Sequence, residues 1–310
     1  LSITSIQIVE SLLQITINQE VDLSQEILTF SFQILQKCID SKDSKLIIES
    51  SSIFALLSSH LPAQFSEVLS TFFQFYATFF VENTDLALAR SIGHSFNTKN
   101  PYFDVNAIFA VFIELSTKTP HPEIVYIPLK KLVSKFGAVL RPHFPLLIQT
   151  TYSLVVQCYS EEICYNQSEN GHFLAEIVRK CLKQSNKNQF AELLQNFIST
   201  PNSVEELYSL LEILFCAIEP LDDSFSIIKD STFAILLNAL AVPNHVIQEL
   251  SIYCLIDILS IQNLDADFEP FFQIVYNQLN SQHPPLIVLA LKAICLLFNN
   301  SSISKEVVAP

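Results

Sequence analysis

The chain has 310 residues, half of them hydrophobic and only 15% charged, with 25 Phe against 3 Gly. That much apolar surface excludes a disordered chain, and three glycines are too few for a β-sandwich, a phosphate-cradling loop or a dinucleotide fold. A net charge of −14 repels nucleic acid and draws basic partners, and the three arginines (Arg90, Arg141, Arg179) form no phosphate clamp.

In chain order, amphipathic or buried helices are expected over Leu1–Ile17, Ser24–Ile39, Ser44–His60 and Pro62–Phe80, with short polar breaks such as Ser41-Lys42-Asp43. The richest apolar stretch, Phe72–Val81, carries Gln74 and Thr78. It reaches about half the ~20 residues of a spanning helix, so it reads as a fully buried core helix and no membrane insertion is expected. Ser160–Asn170, with Glu161, Glu162 and Glu169, is the longest polar interruption and reads as an exposed loop between repeats.

Pro201, Pro243 and Pro284 then recur 42 and 41 residues apart, and Pro122 lies 79 residues before Pro201. Proline fits a first helical turn, where its missing N–H has no intrahelical partner. After each proline comes an apolar stripe: Val204, Leu207, Leu210, Leu211 and Leu214; then Val246, Ile252, Tyr253 and Ile256; then Ile287, Ala290, Ala293, Ile294 and Leu297. Ser203-Val204-Glu205-Glu206 has the form of a capping box, with Ser203 and Glu206 serving each other's backbone donors. Partner helices fall at Ser224–Ala241 and Asp267–Asn280.

A period of about 40 residues holding two antiparallel helices is the HEAT or armadillo signature. Each pair buries its stripe only against its neighbours, so the units stack. The expected architecture is all-α: one continuous α-solenoid over residues 1–310 of about seven to eight HEAT/armadillo-like helix pairs. Leu1 at the start and the lack of any Met lead to one of two expectations. Either this is a fragment of a longer solenoid, or methionines have been lost from the sequence and helix faces slip by about 100° at each.

No residue pattern points to catalysis. Cys158, Cys164, His172 and Cys181 lack the tight pairs that pre-organise a zinc site, and no oxyanion hole or orienting group accompanies a Cys–His pair. The seven cysteines, among them Cys216, Cys254 and Cys295 in apolar helical runs, read as buried free thiols of a reducing compartment. Neighbouring carboxylates at Glu161-Glu162, Glu205-Glu206 and Asp222-Asp223 point about 100° apart on a helix, which suits solvated termini better than acid/base work. Asp222-Asp223 before Ser224 would favour a helix N-terminus. The functional reading is that Glu161, Glu162, Asp222 and Asp223 lie on acidic loops that grip a basic protein partner. No enzyme, cofactor or metal is expected.

The stretch Asp85–Phe96, then Asn100-Pro101-Tyr102-Phe103-Asp104-Val105, then Phe109–Leu115, resembles the middle of β-karyopherins of the transportin-3 and importin-13 type. That family has a helix of small and apolar residues, a His-Pro-x-aromatic-acidic-Val turn and a helix with an aromatic cluster. Pro101, Phe103, Asp104, Val105, Phe109, Phe112 and Leu115 fit the pattern, while Asn100 replaces the usual His and Phe112 stands where Trp is typical. More faintly, Phe173–Leu182 with Gln189–Phe197, and Val246–Leu259 with Phe268–Leu279 and Leu286–Phe298, are similar to the family's later repeats. The resemblance implies a nuclear transport receptor, importin-type by preference, that shuttles between cytoplasm and nucleus. Its implied partners are protein cargo, Ran in its GTP form and nucleoporins. The family's arginine-rich cargo helix has no counterpart here, so no cargo residue carries over. The alternative is a static HEAT-repeat scaffold or adaptor, nucleoporin-like, trafficking or phosphatase-regulatory, with no Ran dependence.

Overall fold

The structure, a computed structural model, describes residues 2–19, 23–97, 102–158, 177–198, 201–261, 264 and 266–300. The chain is all-α, and no strand occurs among the described residues. Its contacts divide it into two compact units, residues 1–142 and 143–310. Each is a stack of antiparallel helix pairs of the α-solenoid kind.

The first unit holds α1 (Ile3–Asn18), α2 (Gln25–Ser41), α3 (Ser44–His60), α4 (Ser66–Glu82), α5 (Leu86–Ser95), α6 (Val105–Lys118) and α7 (Pro122–Leu140). Most starts are set by one local device. The side chains of Ser2, Ser24, Asp43, Asp85 and Asp104 each accept a hydrogen bond from a backbone N–H of the first turn, which would otherwise lack a partner. The odd-numbered helices α1, α3, α5 and α7 pack one on the next, and α2, α4 and α6 lean on them to form a second layer.

The layers are joined by aromatic rings. Phe54 of α3 stacks on Tyr76 of α4 at 5.1 Å, and the Tyr76 hydroxyl lies 2.7 Å from Ser50 Oγ in the buried interior. Burial pushes the Tyr76 phenol far above its ordinary value, the hydrogen bond with Ser50 acting the other way. Within the second layer, Phe32 stacks on Phe72 at 5.8 Å and Phe80 meets Phe112 edge-on at 6.1 Å. Gly93 lets α5 approach α7 closely, since a Cβ there would sit 3.4 Å from the Pro128 backbone.

The second unit holds α8 (Phe144–Cys158), a helical segment over 177–183, α9 (Lys187–Phe197), α10 (Val204–Leu221), α11 (Lys229–Ala241), α12 (His245–Leu259), α13 (Glu269–Asn277) and α14 (Pro284–Asn300). Here α10, α12 and α14 form one packed series, with α8 against α10, while α11 and α13 lie on the other side of the pairs. The recurring prolines therefore do mark one class of helix. Pro122 and Pro284 are themselves first helical residues, of α7 and α14, but the other two are not. Pro243 precedes the cap Asn244, and Pro201 lies two residues before the cap Ser203.

The capping box departs by one residue from its expected form: Ser203 Oγ accepts from Glu206 N at 3.2 Å, but the Glu206 carboxylate accepts from Asn202 N at 2.6 Å. The expected helix from Ser224 begins later. Asp222–Ile227 forms a 3₁₀ turn, and the α-helix runs from Lys229. On α12, Glu249 lies 2.5 Å from Nε2 of His283, which immediately precedes α14.

Candidate functional site

The first unit holds a groove of about 620 Å³ between α4 and α6. Positions 70, 73, 74, 77, 78 and 81 of α4 line it, spaced so that they form one helix face. From α6 the facing row runs through Ala107, Ile108, Val111 and Leu115. Phe73 and Leu115 are buried in its floor, and Phe103 stacks on Phe73 at 4.6 Å. Val81 and Val111 are 41% and 38% exposed along its sides, an open apolar lining rather than a closed core.

The opening has a physical origin. Ala77 and Ala107 face it from the two helices, so no side chain spans the gap that Phe80 and Phe112 close deeper in. The ends are polar. Asp104 caps α6 there, and Glu114 pairs with Lys118 one turn later. The Glu114 carboxyl is held below its ordinary range by its hydrogen bond to Lys118. Phe72–Val81 is accordingly not the fully buried helix its composition implies. One face packs inward through Phe72, Phe73, Tyr76 and Phe80, while Gln74, Thr78 and Val81 meet solvent.

The residues singled out on acidic loops do not come together into a site among the described residues. Glu161 and Glu162 lie outside the described residues, as do Cys164 and His172. Asp222 and Asp223 are exposed, but they do not open a long helix. Asp222 terminates α10 with a positive φ of 53°, at the end where backbone carbonyls disfavour negative charge, and faces Lys187 at 3.9 Å. The 3₁₀ turn accounts for the difference, because it carries Ser224 to Asn188 Oδ1, a 2.6 Å hydrogen bond, before α11 starts.

Most described thiols do lie inside the helix stacks. Cys181, Cys216 and Cys254 are buried and desolvated; Cys216 is pushed up to about 12 and Cys254 well above the ordinary thiol value. Held as neutral thiols, they are poor nucleophiles. Cys295 is the correction: it is exposed, on an outer face of α14. Beside Cys216, Glu212 accepts a 2.8 Å hydrogen bond from the Tyr208 hydroxyl. Burial is the main cause of its rise to about 7, with Tyr208 and Arg179 opposing. No group of three or more His, Cys, Asp or Glu among the described residues is arranged to hold a metal ion. Nor is any described helix long and apolar enough to cross a membrane.

Fold and groove together define a class: a helical-repeat protein with an open apolar cleft between successive second-layer helices. No family model matches the chain, and no curated protein matches it. Among solved structures it is similar to an engineered protein, crystallised as a Northeast Structural Genomics Consortium target, over 87% of this chain and 69% of that one. The identity is 13% and the TM-score 0.41. A second engineered protein from the same consortium is similar over 87% of this chain and 97% of its own, at 14% identity and a TM-score of 0.33. Both likenesses are loose, and the fold assignment stands on the helices and their packing.

Proposed function

We propose that the chain is the protein-binding segment of an importin-type nuclear transport receptor, taking protein cargo, Ran-GTP and nucleoporins on its helix faces. The observation that carries the reading is the α4–α6 groove, an apolar cleft about 620 Å³ in volume on an otherwise acidic chain. Stacked pairs suit the task, since small rotations between neighbours accumulate and let one surface accept alternative partners. A strongly acidic surface speeds and orients the approach of basic cargo and disfavours nucleic acid. Phe103 to Leu115, part of the stretch that resembles the family, flanks the same groove, which supports the reading.

In this reading the groove takes an apolar side chain of a nucleoporin. Ala107→Trp fills the cleft from an exposed position, so folding is expected to survive. Retention of the protein on immobilised nucleoporins should weaken by at least ~tenfold with an unchanged thermal midpoint. Equal retention of the variant and the parent protein would remove the groove from partner binding.

A further inference from the structure

The first unit carries a patch opposite in sign to the chain as a whole. On α5, Arg90 and His94 are exposed and lie one turn apart, at i and i+4. On α7, which packs against α5, Lys131 and Lys135 have the same spacing. The seam between the two helices sets how closely the rows approach. Gly93 leaves room for the Lys131 stem to lie across it, since a Cβ there would come within 3.2 Å of Lys131 Cγ. Lys135 reaches the same end of α5 and donates to the Phe96 carbonyl. The two rows therefore meet around His94, in the last turn of α5.

These cations crowd one another. Burial, then Lys131 and Lys135, hold the His94 imidazole below its ordinary value, and burial, then Lys131, lower the Lys135 ammonium. Among the described residues, no carboxylate forms an ion pair with Arg90, His94, Lys131 or Lys135. The sequence explains why. Of its 31 acidic residues, none falls from Leu86 to Phe103 or from Ile124 to Ser160. On α3, the other neighbour of α5, none falls from Ser50 to His60. Like charges one turn apart on a helix are destabilising, and an anionic partner relieves the repulsion.

The form of the patch narrows that partner. Phosphoryl groups are held by arginine forks or a backbone cradle, and Arg90 is the only arginine on these two helices. Nucleic-acid strands are gripped by exposed aromatic rings among the cations. Here α5 has no aromatic residue, and Tyr126 and Phe136 of α7 are buried. The net charge of −14 also repels a long polyanion. Two short rows of point charges instead match carboxylates repeated along a peptide. We infer that the α5–α7 face binds an acidic segment of a partner protein, with Asp or Glu side chains set between the Arg90–His94 and Lys131–Lys135 rows. The groove lies in the other layer of the unit, between α4 and α6, and the inference does not depend on the transport reading.

Fluorescence anisotropy of a labelled oligoglutamate peptide tests this. The peptide should bind the parent protein at low salt and be released as salt is added. Arg90→Glu with Lys131→Glu should weaken binding by at least ~tenfold. These changes set carboxylates beside His94 and Lys135, so the thermal midpoint should hold or rise. Arg90→Gln with Lys131→Gln, which keeps most of each stem, should weaken binding by at least ~threefold. Lys37→Glu with Lys45→Glu, at exposed positions of α2 and α3, makes the same change in net charge as the first pair and should cost less than ~threefold. Three results would overturn the inference: no binding of the peptide at low salt, equal losses in the two Glu pairs, or an oligonucleotide of equal charge that binds the parent protein as tightly as the peptide.

Discussion

Phe96→Ala should destabilise the first unit by about 3–5 kcal/mol, the range for truncating a buried Phe. Phe96 sits at the C-terminal end of α5, fully buried, with ring centroids 6.2 Å from Phe73, 5.3 Å from Phe103 and 6.5 Å from Phe136. It therefore bridges α4, the turn before α6 and α7 at once. Its carbonyl also accepts from the Lys135 ammonium, so the backbone at this point is anchored and the neighbours cannot easily collapse into the space left. Phe30, on α2 and 51% exposed, is the control: Phe30→Ala should change stability by no more than about 0.5 kcal/mol. Urea titration followed by circular dichroism reads both. A Phe96→Ala loss below ~1 kcal/mol would mean that the aromatic cluster does not hold the pairs together.

The second unit should lose stability as pH rises from about 5 to 8, and Glu212 should account for most of the slope. In the unfolded chain its carboxyl titrates in the ordinary range, near 4.5; in the fold, burial lifts it to about 7. The folded state then binds more protons between those two values. The stabilisation is complete below the unfolded value and is lost as pH climbs through 7. A rise from 4.5 to about 7 corresponds to about 3 kcal/mol at full ionisation. Asp257 of α12 is raised to about 6, by burial first and then by Glu219, with Lys292 opposing; its half-exposed position makes its share smaller. Glu212→Gln stays neutral and keeps an oxygen for the Tyr208 hydroxyl. It should flatten the pH profile and exceed the parent protein by about 2–3 kcal/mol near pH 8. A parent profile that is flat or rising over this range would contradict the buried-acid account.

Helix starts were the most legible features of the sequence, because a cap is a local device. Ser24 and Ser203, where the sequence places helix starts, each act within three residues of their own position. The stacked series after Pro201, Pro243 and Pro284 was legible for a related reason, since a repeated stripe must be repeatedly buried. The groove was not legible. It arises where Ala77 and Ala107, unremarkable on their own helices, face each other across a space that periodicity alone does not define. Cys295 was misread for a similar reason: an apolar run marks a helix with apolar faces, not how many of those faces a neighbour covers. Asp222 and Asp223 were misplaced because a 3₁₀ turn and a helix N-terminus draw on the same acidic and hydroxyl residues.

The transport reading stands or falls most directly on the nucleotide dependence of Ran binding. Titrating the protein with Ran-GTP and with Ran-GDP should show a preference for the GTP form of at least ~tenfold. Added cargo should then be displaced by Ran-GTP, as an importin requires. Equal affinity for the two forms, or binding to neither, would contradict the account and leave a static helical-repeat scaffold in its place.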